Sequence, residues 1–170
     1  MMINPAGTVK SAVMSTKWYF ALLIAGLAFG MFFLQTGLDL YRVGQKGTLF
    51  VIVSAVTGFL YGIVGIPLIA VIAFYILKLT KIKRDIKWTI TSFCLSYSGA
   101  LVYGIIGIIF SVFLGWRTAI AFGVTGVIWA IGPLIASIRE ITDGNLKISI
   151  IIVTVLSSLI LLSWSIFNQM

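Results

Sequence analysis

KLTKIKRDIK, the stretch Lys78–Lys87, sets Lys78, Lys81, Lys83, Arg84 and Lys87 against the single acid Asp85. Long apolar runs lie on both sides of it, each with enough residues to cross a bilayer as a helix. A short loop this rich in Lys and Arg stays on the cytoplasmic face. Its placement therefore orients every other segment of the chain.

Composition agrees with that reading. Of 170 residues, 61% are hydrophobic and only 9% charged, and the mean hydropathy is +1.17. A water-soluble domain has about a quarter of its residues charged, so this chain lacks the polar surface such a fold needs. The net charge of +8 sits in short loops. There it serves topology and attraction to anionic headgroups, and no nucleic-acid partner is expected.

Outward from the basic loop the chain divides into five apolar spans. Residues 1–17 form a short cytoplasmic lead, and 18–168 a single transmembrane domain with spans at about 18–36, 49–77, 88–114, 118–137 and 148–167. Gly37–Thr48 reads as a polar loop, Gly115-Trp116-Arg117 as a tight turn making spans three and four an antiparallel hairpin, and Asp143-Gly144 as a turn within 139–147. Span two is long, and Pro67 is expected to kink it. The lead, the 78–87 loop and the 139–147 loop hold nine basic residues, against Arg42, Lys46 and Arg117 on the other side. That asymmetry predicts a multi-pass cell-membrane protein with its N-terminus inside and C-terminus outside.

Local patterns suggest how the spans pack. Gly26 and Gly30 permit close helix approach in span one, and Ser96, Ala100 and Gly104 give span three a small-residue face. YGIVGI at 61–66, YGIIGI at 103–108 and FGVTGV at 122–127 place glycine pairs in spans two, three and four, where close packing among those spans is the expectation. Trp18, Trp88, Trp116 and Trp164 fall near span ends, as in an interfacial aromatic belt. Trp129 lies within span four, where its indole N–H would need a partner in the bundle.

Catalytic and metal-binding patterns are missing from the sequence. It has no histidine, and its one cysteine, Cys94, sits in an apolar stretch as a small buried residue would. None of Asp39, Asp85, Glu140 and Asp143 lies in the middle of an apolar run, where carboxylates mark proton and cation pathways. Catalytic, cofactor-binding and metal-ligating residues are therefore all expected to be none, and the protein is expected not to be an enzyme.

From the third span onward the pattern resembles a known family. A basic loop, then Ser96-Tyr97-Ser98, a long apolar span, a short turn, Trp129 within span four, a polar loop and a last span are similar to the Yip family of five-span membrane proteins and their prokaryotic relatives. The resemblance covers about residues 20–167. It departs at Ser96, where the family has glycine, and at Ala100-Leu101, where a proline is common. Asp39-Leu40-Tyr41 matches the start of the family's Asp-Leu-Tyr-Gly-Pro signature, but it follows the first span and lacks the last two residues. It therefore carries no role over. The absence of a long N-terminal arm points to a prokaryotic relative.

The resemblance implies an all-α, non-enzymatic bundle working through contacts with other membrane proteins or with itself, in membrane organisation or trafficking. It implies no metal, no cofactor and no small-molecule ligand beyond the lipid bilayer. The alternative is a small transport component, the substrate-capturing subunit of an ATP-driven importer. That reading predicts a polar-lined cavity around Tyr97, Ser98 and Trp129.

Overall fold

The computed structural model describes residues 11–78 and 84–169. Lys81 and Lys83 of the basic loop, and residues 1–10 of the lead, lie outside the described residues. The protein is all-α, with no strand among the described residues. Five helices are long and apolar enough to cross a membrane: α1 (Trp18–Arg42), α2 (Thr48–Leu77), α3 (Ile86–Leu114), α4 (Ala119–Ile141) and α5 (Leu146–Gln169).

α1 is the axis of the bundle. Of an 18-residue apolar stretch of α1, 56% is buried, against 22–39% for the corresponding stretches of the others. α2, α3 and α4 pack along it, and α5 reaches it through Trp164 and Phe167, whose rings meet Phe32 and Phe33. The outer four helices form a ring. α2 packs on α3, α3 on α4 and α4 on α5, and α5 closes back on α2 through the Phe50–Phe167 stack and the Tyr61–Ser163 hydroxyl pair. In bilayer hydrocarbon the hydrophobic effect does not bring helices together, so close packing of small residues has to. α1 supplies Ala21, Ala25, Gly26 and Ala28 for that purpose, all buried.

The glycines of the outer helices point mainly at this axis, rather than at one another as their sequence pattern suggests. A side chain at Gly58 or Gly62 of α2 would overlap the Phe29 or Ala25 carbonyl of α1, and one at Gly123 of α4 would overlap Phe32. Of the glycines in these three pairs, Gly126 meets another outer helix, at Ala100 of α3. The small face of span three is real: Ser96, Ala100 and Gly104 are all buried, and Gly104 faces Met31 of α1.

Three of the spans are interrupted. In α2 a π-helical turn, Tyr61–Gly65, runs into Pro67. Proline offers no N–H, and its ring crowds the preceding turn, so the wider turn takes up the conflict expected to kink the span. The similar YGIIGI of α3 has no proline after it and stays α-helical. α3 breaks at Tyr97, between Ile86–Ser96 and Ser98–Leu114. α4 opens with a π-helical segment, Ala119–Val124, and is interrupted again at Ala130, before Pro133.

Two turns follow their sequence signals. Gly115 ends α3 in the left-handed region at φ 68°, which glycine enters without strain, and begins the short link to α4. Asp143 and Gly144 form the second turn, both at positive φ. The segment read as a polar loop after span one behaves differently. Helix α1 continues through Gly37, Asp39 and Arg42 before it ends, and this extension builds the site described next.

Candidate functional site

The last turns of α1 carry Gln35, Asp39 and Arg42. Their i, i+4, i+7 spacing puts them on one helix face, and that face meets α3, α4 and the turn joining them. Gln35 is fully buried and donates from Nε2 to the Gly104 carbonyl at 3.0 Å. Room for its amide comes from Gly107, where a Cβ would lie 2.7 Å from the Gln35 nitrogen. Gln35 Oε1 has no partner among the described residues.

Asp39 and Arg42 divide the α3–α4 turn between them. The Asp39 carboxylate accepts from the Thr118 and Ala119 amides, each at 2.9 Å through Oδ2, with a longer Thr118 contact to Oδ1. It thereby caps the N-terminus of α4 from a different helix. Arg42 donates from Nη1 to Ser111 Oγ at 2.7 Å and to the Trp116 carbonyl at 3.0 Å, and from Nη2 to the Ser111 carbonyl. It thereby closes the C-terminus of α3. A helix N-terminus carries partial positive charge and a C-terminus partial negative charge, so an acid on the first and a base on the second are both favourable. Each is also a charge-assisted hydrogen bond to backbone, about twice as strong as a neutral one.

Beside this clamp is a recess of about 380 Å³ at the same end of the bundle. Asp39 and Gln45, Arg117 and Ile120 at the start of α4, and Trp164 and Asn168 of α5 contribute to its walls. Trp164 is anchored by its indole N–H, which donates to Thr36 Oγ1 at 2.8 Å. Phe32 of α1 stacks on the Trp164 ring with centroids 5.1 Å apart.

The cavity expected by the transport reading is not formed by the residues named for it. Tyr97 is fully buried, packed 4.9 Å from the Phe29 ring. Trp129 turns outward, 46% exposed, and stacks on Tyr103 with centroids 6.0 Å apart. It does not donate into the bundle interior. The aromatic belt is likewise divided. Trp18 and Trp116 are about half exposed, whereas Trp88 is buried and Trp164 is held by Thr36.

At the opposite end of the bundle, Arg84 of the basic loop pairs with Glu140 of α4 and lies over the Trp88 ring. Asp85 caps α3 by accepting from the Trp88 amide. The polar first half of α3 is buried as a block, from Thr91 to Tyr97. Its hydroxyls bond to carbonyls of their own helix: Thr91 to Lys87, Ser92 to Thr89 and Ser96 to Ser92.

No protein-family model matches this chain, and no curated protein or solved structure matches it. The site must therefore be read from its own chemistry. Asp39 and Arg42 are spent on helix ends, and the open volume is amphipathic, with two carboxamides and the Arg117 guanidinium beside aliphatic and indole surface. Sequence reasoning passes over Gln35, a lone amide at the end of an apolar span, and the roles of Asp39 and Arg42, which follow the apolar run and look like loop. Their helical spacing was the available signal.

Proposed function

We propose that this multi-pass membrane protein is non-enzymatic and Yip-like, acting through contacts with other membrane proteins or with copies of itself in membrane organisation or trafficking. The observation that carries the reading is where the polar side chains at membrane depth go. The hydroxyls of α3 bond to their own helix, and Gln35, Asp39 and Arg42 fasten helix to helix. Polar groups used this way hold a scaffold together, and they leave apolar outer faces for lipid or a neighbouring protein. The Ser96-Tyr97-Ser98 segment, on which the family resemblance rests, coincides with the break in α3.

A transport role is favoured by one observation, the amphipathic recess between α1, α4 and α5. Affinity capture of the tagged full chain in mild detergent separates the two. The scaffold reading expects recovery of multi-span membrane proteins or of the untagged chain itself. Stoichiometric recovery of a nucleotide-hydrolysing subunit would replace it with the importer reading.

A further inference from the structure

The recess at the Arg42 end opens into a lateral crevice. α5 packs closely along Ile131–Ile141 but not along Ala119–Trp129, so the two helices part toward this end. Phe32 of α1 fills the floor between them, stacked on Trp164 of α5 and seated against Gly123 of α4. Above that floor the walls are apolar, with Ile120 73% exposed and Leu40 and Val43 on the α1 side.

The polar rim carries one carboxylate and one guanidinium, and of the two only the guanidinium has no partner among the described residues. Asp39 lines the recess, but its carboxylate is already committed to the Thr118 and Ala119 amides. Arg117 lines it too, is exposed, and makes no hydrogen bond or ion pair among the described residues. Gln45 and Asn168 add neutral hydrogen-bonding groups. A free guanidinium at the mouth of an apolar crevice, where the spans leave the hydrocarbon, matches a molecule with an acidic head and a greasy chain. The volume of about 380 Å³ lies at the lower end of small-molecule sites, enough for a headgroup with its chain running into the crevice.

We propose that this recess binds an anionic amphiphile, its phosphate or carboxylate head on Arg117 and its acyl chain between α4 and α5 along Ile120 and Trp164. The proposal goes beyond the scaffold reading and does not depend on it. The test reconstitutes the full chain in mixed phosphatidylglycerol–phosphatidylcholine nanodiscs, releases it into neutral detergent, and reads retained lipid by native mass spectrometry. Phosphatidylglycerol should be enriched over phosphatidylcholine by about threefold, because both lipids offer a phosphate to Arg117 and only the choline ammonium of the second opposes the guanidinium. Arg117→Gln should bring the two lipids to parity, and Arg117→Lys should keep part of the preference. Arg139→Gln, at the far end of the bundle, should leave the enrichment unchanged. Ile120→Trp should expel both lipids by filling the crevice, with the folded fraction followed by size-exclusion profile. Equal retention of the two lipids by the unaltered protein would overturn the proposal, as would full enrichment in a folded Arg117→Gln protein. Inorganic phosphate displacing phosphatidylglycerol as well as a short-chain phosphatidylglycerol does would overturn the amphiphile and leave a free-anion site.

Discussion

The two ends of the bundle solve the same problem in opposite ways. Polar groups within a membrane protein must find partners inside the protein. At the Arg42 end the amide, charged and indole groups find them on other helices, with the Thr36 and Ser54 hydroxyls turning back on their own: Gln35 on Gly104, Asp39 on Thr118 and Ala119, Arg42 on Ser111 and Trp116, and Trp164 on Thr36. At the Lys78 end the hydroxyls bond within their own helix, from Thr91, Ser92 and Ser96 in α3 to Ser137 in α4 and Ser149 in α5. A bond between helices fixes register and tilt. A bond within a helix only makes a polar side chain tolerable against a neighbour. The Arg42 end should therefore specify the arrangement, while the Lys78 end follows it by shape.

The sharpest way to break that contrast is at Asp39. Asp39→Ala removes the acceptor for two amides at the start of α4. A lost cap costs about 0.5–2 kcal/mol and a charged acceptor raises the figure, so roughly 2–3 kcal/mol is expected. Unfolding in mixed detergent micelles, followed by tryptophan fluorescence, measures it. Asp39→Asn keeps one carbonyl oxygen facing the amides and should cost about half as much. If both variants unfold like the parent, the clamp holds nothing and the contrast fails.

Gln35 probes the same end with a neutral group. Gln35→Leu removes the bond to Gly104 and also the unpartnered Oε1. Interhelical hydrogen bonds in membranes are worth about 0.6 kcal/mol on average, and relief of the orphan oxygen offsets part of that. A net loss of about 0.5 kcal/mol is expected in the same micelle titration. Gly107→Leu, by contrast, drives a side chain into the Gln35 amide and should lose more than Gln35→Leu does, which would place the value of this contact in its fit.

How much of this was legible in the sequence follows from which signals are local. Five spans, the α3–α4 hairpin, the Gly115 and Asp143-Gly144 turns and the small face at Ser96, Ala100 and Gly104 are patterns of neighbouring residues, and each appears in the structure. The identity of the axis is not local. Any of five similar apolar segments could have been central, and only α1's small residues mixed with Phe29, Phe32 and Phe33 hinted at contact on several faces. Trp129 turns the other way from its expectation for a simple reason. Position along a span gives depth in the membrane but not direction around the helix, so a Trp in the middle of a span can face outward, as Trp129 does, and one near an end can pack against a neighbour, as Trp88 does. The clamp residues were hidden by an apolar run that ends before its helix does.

The Lys78 end offers a weaker handle in the Arg84–Glu140 pair. It joins α3's leading residues to α4, but its side chains are 22% and 36% exposed. Pairs exposed to that degree contribute about 0–1 kcal/mol and are screened by salt. Glu140→Gln should therefore shift the micelle titration slightly at low salt and not at all at molar salt. A shift as large as that of Asp39→Ala, persisting in salt, would make the two ends equivalent.

The smallest effect should come from the buried hydroxyls of α3. Ser92 and Ser96 donate to the Thr89 and Ser92 carbonyls, which also lie in the run of the helix's own backbone bonding. Removing the hydroxyl orphans no N–H and leaves a gap of one oxygen atom, so Ser92→Ala and Ser96→Ala should each stay within about 0.5 kcal/mol of the parent. Size is the quantity that matters there. Ser96 is fully buried on the small face of α3, and Ser96→Leu would push it off its neighbour, at a cost of about 1–3 kcal/mol. A larger loss from Ser96→Ala than from Ser96→Leu would mean that the hydroxyl, not the shape, holds this end.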